Sequence, residues 1–230
     1  MQPRTGAALT KRAVVDAALT VVDREGLSAL TIRKLAAELS APPMSLYTHF
    51  KGKEQLHDLM FDRLVQRLFP AHDGRTWQQE LSVLGHHARS ELLAHPHWLP
   101  LLTRADAVPA SSFVAYDHLL RLMAEDGFSR EAAMHAFSSA MSFALGAVLI
   151  ERMMTPHRDV VVPLRRIALL KKAIATFPCG AYPNIAATNQ ALDAWSFDAV
   201  FELGLRSLIK GIEVTFVPSG RKAKKSRRSA

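Results

Sequence analysis

Apolar residues recur at intervals of three and four along most of this sequence, and no stretch keeps the alternation of a half-buried strand for long. That spacing gathers them on one face of an α-helix, so the sequence predicts an all-α fold. The chain has 230 residues, 49% of them hydrophobic and 22% charged, which is enough to bury a real core. A disordered chain and a disulfide-stapled miniprotein are therefore excluded.

Capping residues and prolines set the expected helix ends. Thr10 and Thr31 are expected to cap the first two helices, and Gly26 to end the first in a left-handed conformation. Pro43 suits the first turn of the third helix, where its missing N–H costs nothing. We predict helices at residues 11–25, 31–39, 43–49, 53–69, 77–94, 96–104, 110–125, 130–154, 164–176 and 193–215.

The net charge of +8 is concentrated at the two ends of the chain. Residues 1–69 hold 10 Lys and Arg against 7 Asp and Glu, residues 70–220 hold 13 against 14, and residues 221–230 hold 6 against none. Binding to a polyanion is therefore expected at the ends. The single cysteine, Cys179, cannot form an internal bridge, and no export signal opens the sequence, so the cytoplasm is the default compartment.

One segment raises the question of a membrane. Ala132 to Ile150 contains 19 residues without a formal charge, close to the length that crosses a bilayer. It carries three serines and His135, and it stands alone in the chain. We therefore expect a helix covered by protein on all sides, and no membrane partner.

The three N-terminal helices have the arrangement of a DNA-reading motif. A helix, a tight turn and a second helix allow the latter to enter a major groove about 12 Å wide. Leu46 and Phe50 are expected to anchor that second helix to the core. The side chains that would face outward from it are Met44, Ser45, Tyr47, Thr48 and His49. An ordinary helical hairpin with its polar face in water is the alternative.

The run LTIRKLAAELSAPPMSLYTHFKGKEQL, from Leu30 to Leu56, resembles the DNA-binding segment of TetR-family repressors at more than ten spaced positions. The resemblance implies that Arg33 reaches base or phosphate and that Thr31, Tyr47 and Lys53 hold backbone phosphates. The residues implied to face the groove are Pro43, Met44, Ser45, Thr48 and His49.

Two departures from the family pattern lie in this segment. Ser40 stands where the turn usually has glycine, and serine tolerates a positive φ less readily. Pro42 and Pro43 before Met44 make the entry to the groove unusually apolar. We therefore expect a contribution from thymine methyl groups or from DNA shape.

The runs WQQELSVLGHHARSELLAHP, GFSREAAMHAFSSAMSFALGAVL and FDAVFELGLRSLIKGIE resemble the ligand-binding half of the tetracycline repressor branch. In that branch the helices matching Arg130–Met154 and Asp193–Thr215 pair with their copies in a second subunit. Glycine inside a helix costs about 1 kcal/mol relative to alanine, so a packing reason is expected here. The residues predicted to form the dimer contact are Ala140, Gly146, Ala147, Gly204, Leu208 and Gly211.

Tetracycline-binding members hold the drug and a magnesium ion with histidine, asparagine, glutamine and glutamate side chains. The matching positions here are Phe69, Leu84, around Leu102, Leu119 and Ile150, so we expect no cofactor and a hydrophobic or aromatic effector. The predicted ligand-binding residues are Phe69, Leu84, His87, Leu102, Arg104, Tyr116, Leu119, Phe137, Met141 and Ser142. Simple core packing is the other interpretation of Phe69, Met123, Phe137 and Met141.

The function implied is a homodimeric repressor that binds a palindromic operator of double-stranded DNA and is released by a small-molecule effector. We expect a helix-turn-helix domain at residues 1–52, a connecting helix at 53–69, a ligand-binding and dimerisation domain at 70–217 and a disordered basic tail at 218–230. The alternative is a helical-bundle metalloenzyme that uses His86, His87, His95 and His97. A surface or capping role is favoured for these histidines, because no H-E-x-x-H pattern surrounds them.

Overall fold

The computed structural model describes residues 9–69, 76–102, 110–155, 161–178, 180 and 182–216, and within them the chain is all α with no strand. The α-helices are α1 (Lys11–Glu25), α2 (Ile32–Glu38), α3 (Pro43–Leu46), α4 (Lys53–Leu68), α5 (Trp77–Ala94), α6 (Leu99–Leu102), α7 (Ala110–Glu125), α8 (Arg130–Met154), α9 (Val161–Ala175), α10 (Pro183–Ala187) and α11 (Phe197–Phe216). Turns of 3₁₀ helix occupy Leu27–Ala29, Pro96–Trp98 and Ala191–Asp193.

The chain packs as two compact units, Met1–Glu125 and Asp126–Ala230. The first unit therefore groups the three N-terminal helices with α4 to α7. The expected domain limits at residues 52, 69 and 217 remain predictions. Arg104, Cys179 and the predicted tail at 218–230 lie outside the described residues.

The first unit is built on α1, which packs against both α2 and α4. The inner face of α1 is fully apolar, with Val14, Ala18, Val21 and Val22 completely buried. Thr10 caps this helix by accepting a hydrogen bond from the Ala13 N–H at 3.1 Å. The predicted start of α1 is confirmed.

Helix α4 continues from the N-terminal helices into the rest of the first unit, where it packs against α5, α6 and α7. Its buried side consists of Leu56, Met60, Leu64, Val65 and Leu68. Helix α5 begins with a capping box, in which Thr76 and Gln79 satisfy each other's backbone N–H groups. We call residues 9–53, which contain α1 to α3, the head. Helix α4 thus contacts both α1 of the head and the later helices α5, α6 and α7.

The second unit centres on α8 and α11. Ala144, Phe201 and Leu205 form its buried cluster, against which Phe143 and Ile209 pack. The rings of Phe143 and Phe201 stack with their centroids 5.6 Å apart. The connection between α8 and α11 is partly helical, and an ion pair between Lys171 and Asp193 links α9 to the turn before α11.

Several predicted helix ends differ from the structure. The predicted 96–104 helix is a 3₁₀ turn followed by the short α6, and α3 ends at Leu46, short of His49. Pro183 lies between the predicted helices at 164–176 and 193–215 but begins α10, because proline is accepted at the first helical position. The last helix starts at Phe197 rather than Asp193, since Ser196 Oγ accepts the Ala199 N–H at 3.0 Å.

The prediction that α8 is covered on all sides is wrong for the single chain. Its buried residues form one stripe of small side chains, Ala132, Ala133, Ala136, Ala140, Ala144 and Val148. Met134, Leu149, Ile150 and Met153 are exposed. In the described part of the chain, Arg130–Met154 is the one helix whose length and apolar composition would allow it to cross a membrane.

Candidate DNA-binding site

The turn between α2 and α3 is closed by a Schellman motif. The Ser40 N–H donates to the Ala37 carbonyl at 3.1 Å, and the Ala41 N–H donates to the Ala36 carbonyl at 3.0 Å. Ser40 has a φ of 51°, the left-handed value that this motif requires. Ser40 therefore occupies the left-handed turn position at which the family pattern usually has glycine.

Helix α3 is a single turn fixed to the core from one side. Leu46 is 0% exposed and Phe50 is 2% exposed, so both anchor the segment as predicted. Around them the predicted DNA-contacting residues lie at the surface. The exposed ones are Thr31, Arg33, Pro43, Met44, Tyr47, Thr48 and Lys53, while Ser45 and His49 are half-buried.

The hydroxyl groups of Thr31, Ser45 and Thr48 make hydrogen bonds within the chain. Ser45 Oγ donates to the Pro42 carbonyl at 2.6 Å, and Thr48 Oγ1 donates to the Ser45 carbonyl at 2.7 Å. Thr31 Oγ1 instead accepts the Lys34 N–H at 3.2 Å as the cap of α2. The Thr31 hydroxyl therefore keeps its proton available for a phosphate oxygen.

An ionic network holds α2 against the end of α1. Glu25 accepts from Lys34 Nζ at 2.6 Å and from Arg24 at 3.1 Å, and Arg24 also reaches Glu38 at 2.9 Å. The Lys34 ammonium first, and then Arg24, hold the pKa of the Glu25 carboxyl below its ordinary value. The hydrogen bond to Glu38 is the main cause that raises the pKa of Arg24.

Other cations of the head have no acidic partner. Lys11, Arg33, Lys51 and Lys53 make no ion pair within residues 9–69, 76–102 or the later described ranges. All four are exposed. They are thus the positive charges of the head that a phosphate can neutralise without breaking an existing pair.

A junction between α1 and the turn after α5 was not predicted from the sequence. His95 Nδ1 lies 2.9 Å from a carboxyl oxygen of Asp23, and His97 Nδ1 donates to the Asp23 carbonyl at 2.9 Å. His95 also stacks on Trp98, with centroids 3.9 Å apart, and the Arg67 guanidinium lies 4.6 Å from the centre of the Trp98 ring. We call this group, Asp23, Arg67, His95, His97 and Trp98, the head junction.

The predicted ligand-binding residues divide between the two units. In the first unit, Leu84 and Leu119 are fully buried, and Phe69, His87, Leu102 and Tyr116 are half-buried on elements that pack together. Burial raises the pKa of the Tyr116 hydroxyl, which therefore stays protonated. In the second unit, Phe137 and Met141 are half-buried and Ser142 is exposed.

The histidines of α5 and its following turn bind backbone or carboxylate oxygens. His86 Nδ1 donates to the Ser82 carbonyl at 2.6 Å, and His87 Nε2 donates to the Arg67 carbonyl at 2.7 Å. A carbonyl only accepts, so each of these ring nitrogens carries a proton. Across the ranges that the structure describes, no three His, Cys, Asp or Glu side chains group as metal ligands. The metalloenzyme alternative has no support there.

Two family models match this chain, and together they cover most of its sequence. Residues 14–59 match the model for bacterial regulatory proteins of the tetR family, and residues 69–216 match the model for the tetracyclin repressor-like C-terminal domain. The chain belongs to the TetR family. It is thus a TetR-family transcriptional regulator with an N-terminal helix-turn-helix for DNA binding.

Relatives of known name match along nearly their whole length. The tetracycline repressor protein class D of Escherichia coli is 31% identical over 216 residues, which span 90% of this chain and 91% of the relative. An HTH-type transcriptional regulator of Saccharopolyspora erythraea is 27% identical over 215 residues, spanning 93% and 89%. The structure of Streptomyces coelicolor ActR in complex with actinorhodin is 25% identical, with a TM-score of 0.75 and coverage of 92% and 98%.

The residues predicted for the TetR-type dimer contact have different surroundings in the chain. Ala140 is fully buried and Ala147 packs on the cluster of the second unit, and an added Cβ at Gly204 would lie 2.3 Å from Phe143 Cζ. Gly146 and Gly211 would meet no atom within 4 Å. Leu208 is half-buried. Gly204 therefore has a packing reason inside its own chain.

Proposed function

We propose that this TetR-family protein is a cytoplasmic repressor that binds a palindromic operator as a homodimer and leaves it when a small, largely hydrophobic effector binds. The observation that carries the proposal is the set of exposed side chains between Thr31 and Lys53. It presents an anchored one-turn helix beside unpaired cations. The surface is thus suited to phosphates and base edges together.

The exposed apolar residues of the second unit support the homodimer. On α8 these are Leu149, Ile150 and Met153, and on α11 they are Val200, Leu203 and Val214. Exposed apolar groups of this kind on a soluble regulator favour burial against another protein surface. A second copy would place two reading helices at half-sites about 34 Å apart, one turn of DNA.

The proposed effector site lies among the predicted ligand-binding residues. Leu84, Leu119, Phe69 and Leu102 supply apolar surface, and the protonated Tyr116 hydroxyl supplies a donor and an acceptor. The complex of the TetR family protein ActR with actinorhodin provides a precedent for a small-molecule ligand in this family. Residues 70–217 would then form the regulatory domain, with 53–69 connecting it to a DNA-binding domain at 1–52. The basic tail predicted at residues 218–230 lies outside the described residues.

Selection of bound fragments from a random DNA pool tests the DNA-binding proposal. We expect an inverted repeat whose half-sites are about one helical turn apart. Tyr47→Ala should weaken binding to it, because Tyr47 is 46% exposed on the reading segment. Tyr182→Ala, with a tyrosine 53% exposed in the second unit, is the matched control. Folded protein that retards no duplex at low salt would overturn the proposal.

Sedimentation of a Leu203→Glu variant tests the dimer. Leu203 is 58% exposed on α11, so a charge there should shift the protein toward monomer without unfolding it. Val114→Glu, at a 75% exposed position of α7, should leave the assembly unchanged. A wild-type protein that sediments as a monomer would contradict the proposal.

Operator release by planar aromatic compounds tests the effector. With actinorhodin and tetracycline among the probes, we expect at least one compound to lower operator affinity. Leu84→Glu should abolish its effect if the protein still folds, and Tyr116→Phe gives a milder second test. Equal operator affinity with and without every probe would argue against release by a ligand of this class.

A further inference from the structure

Few side-chain hydrogen-bond donors remain free near the start of α3, the reading helix. The protons of Ser45 and Thr48 are donated to carbonyls of their own segment, at 2.6 and 2.7 Å. Each of these hydroxyls can accept a bond from a base but cannot donate one without giving up its internal bond. Pro42 and Pro43 contribute no N–H at all. The polar groups at this end of α3 are therefore poor donors to a base edge.

Met44 is the most exposed large hydrophobic side chain of the same surface. It is 76% exposed, although it lies one residue from Pro43 and two from the buried Leu46. A thioether is flexible and polarisable, and it packs well against small apolar groups. Keeping so large an apolar side chain in water has no stabilising effect on the free head. Its exposure therefore favours a role in contact with another surface.

The major groove offers one apolar group on its base edges, the C5 methyl of thymine. Because Met44 stands in the first turn of the helix that the proposed function places in that groove, a base edge is the surface it would meet first. We propose that Met44 is a specificity-determining residue, which selects one thymine in each half-site by packing its side chain on the C5 methyl. This inference rests on the proposed operator binding.

The proposed contact between Met44 and the thymine methyl group is consistent with the roles of the neighbouring residues. The internal hydrogen bonds of Ser45 and Thr48 keep their hydroxyls turned to their own segment, so Met44 approaches the groove beside groups that already have partners. Leu46 and Phe50 fix the position of the turn from below. The unpaired cations at residues 33, 51 and 53 supply the phosphate contacts that set its depth and register.

Replacing thymine by deoxyuridine tests the proposal, because the change removes the methyl group and nothing else. Operator is first selected with the wild-type protein, and each thymine of one half-site is then replaced in turn. We expect one position at which the replacement weakens binding about fourfold, the value for one buried methyl group. Replacing its symmetry mate as well should square that factor.

The same replacement with variant proteins assigns the effect to Met44. Met44→Ala should bind the thymine and deoxyuridine operators within about twofold of each other, while Met44→Leu, still apolar, should keep most of the preference. Met153→Ala is the matched control, because Met153 is equally exposed, at 79%, but lies on α8. Circular dichroism verifies that each variant is folded.

Three results separate failure of this proposal from failure of the proposed function. If Met44→Ala keeps the full wild-type penalty at every thymine, Met44 does not read the methyl group. If wild-type protein loses less than twofold at every position, no methyl group is read, and the inference is overturned while operator binding stands. If no operator is recovered from the pool, operator binding itself has failed.

Discussion

Two residues of the DNA-binding head hold a positive φ, and only one of them is a glycine. Gly26 ends α1 with φ 86° and ψ 162°, a region that is essentially open to glycine alone. Ser40, with φ 51°, closes α2 in the left-handed region that side chains disfavour. The sequence pattern indicated both sites, and it also identified the serine as a departure.

Ser40→Gly should raise the free energy of unfolding by about 0.5 to 1 kcal/mol. The left-handed conformation costs a residue with a side chain about 1 to 2 kcal/mol, and the greater freedom of glycine in the unfolded chain offsets part of this. Urea unfolding measures the change. Ser28→Gly, at an exposed position without a positive φ, is the matched control and should be neutral or destabilising. A stabilisation at residue 28 as large as that at residue 40 would contradict the explanation.

Gly204→Ala should destabilise the protein by about 1 to 3 kcal/mol, because its Cβ would lie 2.3 Å from Phe143 Cζ. Gly146→Ala is the control in the neighbouring helix, since nothing lies within 4 Å of its added Cβ. That change should stabilise α8 by up to about 1 kcal/mol through helix propensity. Thermal unfolding measures both changes, and sedimentation shows whether alanine at residue 146 also weakens the proposed dimer.

At the scale of helices, the sequence predicted most elements because their signals are local. Apolar spacing together with a side-chain cap specifies α1, α2, α5 and α8, and apolar spacing alone specifies α4. The predicted ends of these five helices agree with the structure to within about one residue. Pro183 and Asp193 show the limit of such signals. A proline can begin a helix as well as end one, and an acidic residue near a helix start competes with a neighbouring serine for the cap.

The contact between α1 and α2 should respond to acid through Glu25. Its folded pKa is lowered by Lys34 and Arg24, so the ion pairs stabilise the head above the unfolded pKa. That contribution is lost as the pH falls through the folded pKa. Glu25→Gln should therefore be less stable than wild type at neutral pH, and the difference should shrink as acid protonates the Glu25 carboxyl below its ordinary pKa.

Urea midpoints across this pH range measure the effect of Glu25→Gln. High salt should reduce the difference at neutral pH, because the pairs are exposed to solvent. Asp117→Asn is the control, since the exposed Asp117 has no ion pair in the part of the chain that the structure describes. A gap between wild type and Glu25→Gln that stayed constant with pH would contradict the assignment.

On the scale of the whole molecule, the candidate site was predictable where it depends on spacing and unpredictable where it depends on tertiary contact. The fixed spacing from Leu30 to Leu56 indicated the reading segment and its anchors. His97 and Asp23 lie 74 residues apart in sequence, so no local pattern could join them. The hydrogen bonds that the Ser45 and Thr48 hydroxyls donate could not be predicted either, because a sequence shows donors but not their acceptors.

Operator binding by the full protein should depend on salt in proportion to the phosphates neutralised. Lys53→Gln should reduce the slope of log K against log salt by about one for each subunit, because Lys53 is exposed and makes no ion pair in the part of the chain that the structure describes. The change should not weaken α4, whose positive end Lys53 occupies. Lys172→Gln in the second unit is the control, and an equal change of slope there would contradict the assignment.

Because of the head junction, residues 9–52 are not a fully independent module that can be exchanged between relatives. A chimera that grafted residues 9–52 onto the regulatory half of another relative would carry Asp23 but leave His95, His97 and Trp98 behind. Such a graft could still recognise its operator, since the reading segment would be complete. Rebuilding the contact between α1 and the turn after α5 would require those three side chains in the graft as well, so the unit to preserve in a chimera is the DNA-binding segment together with the head junction.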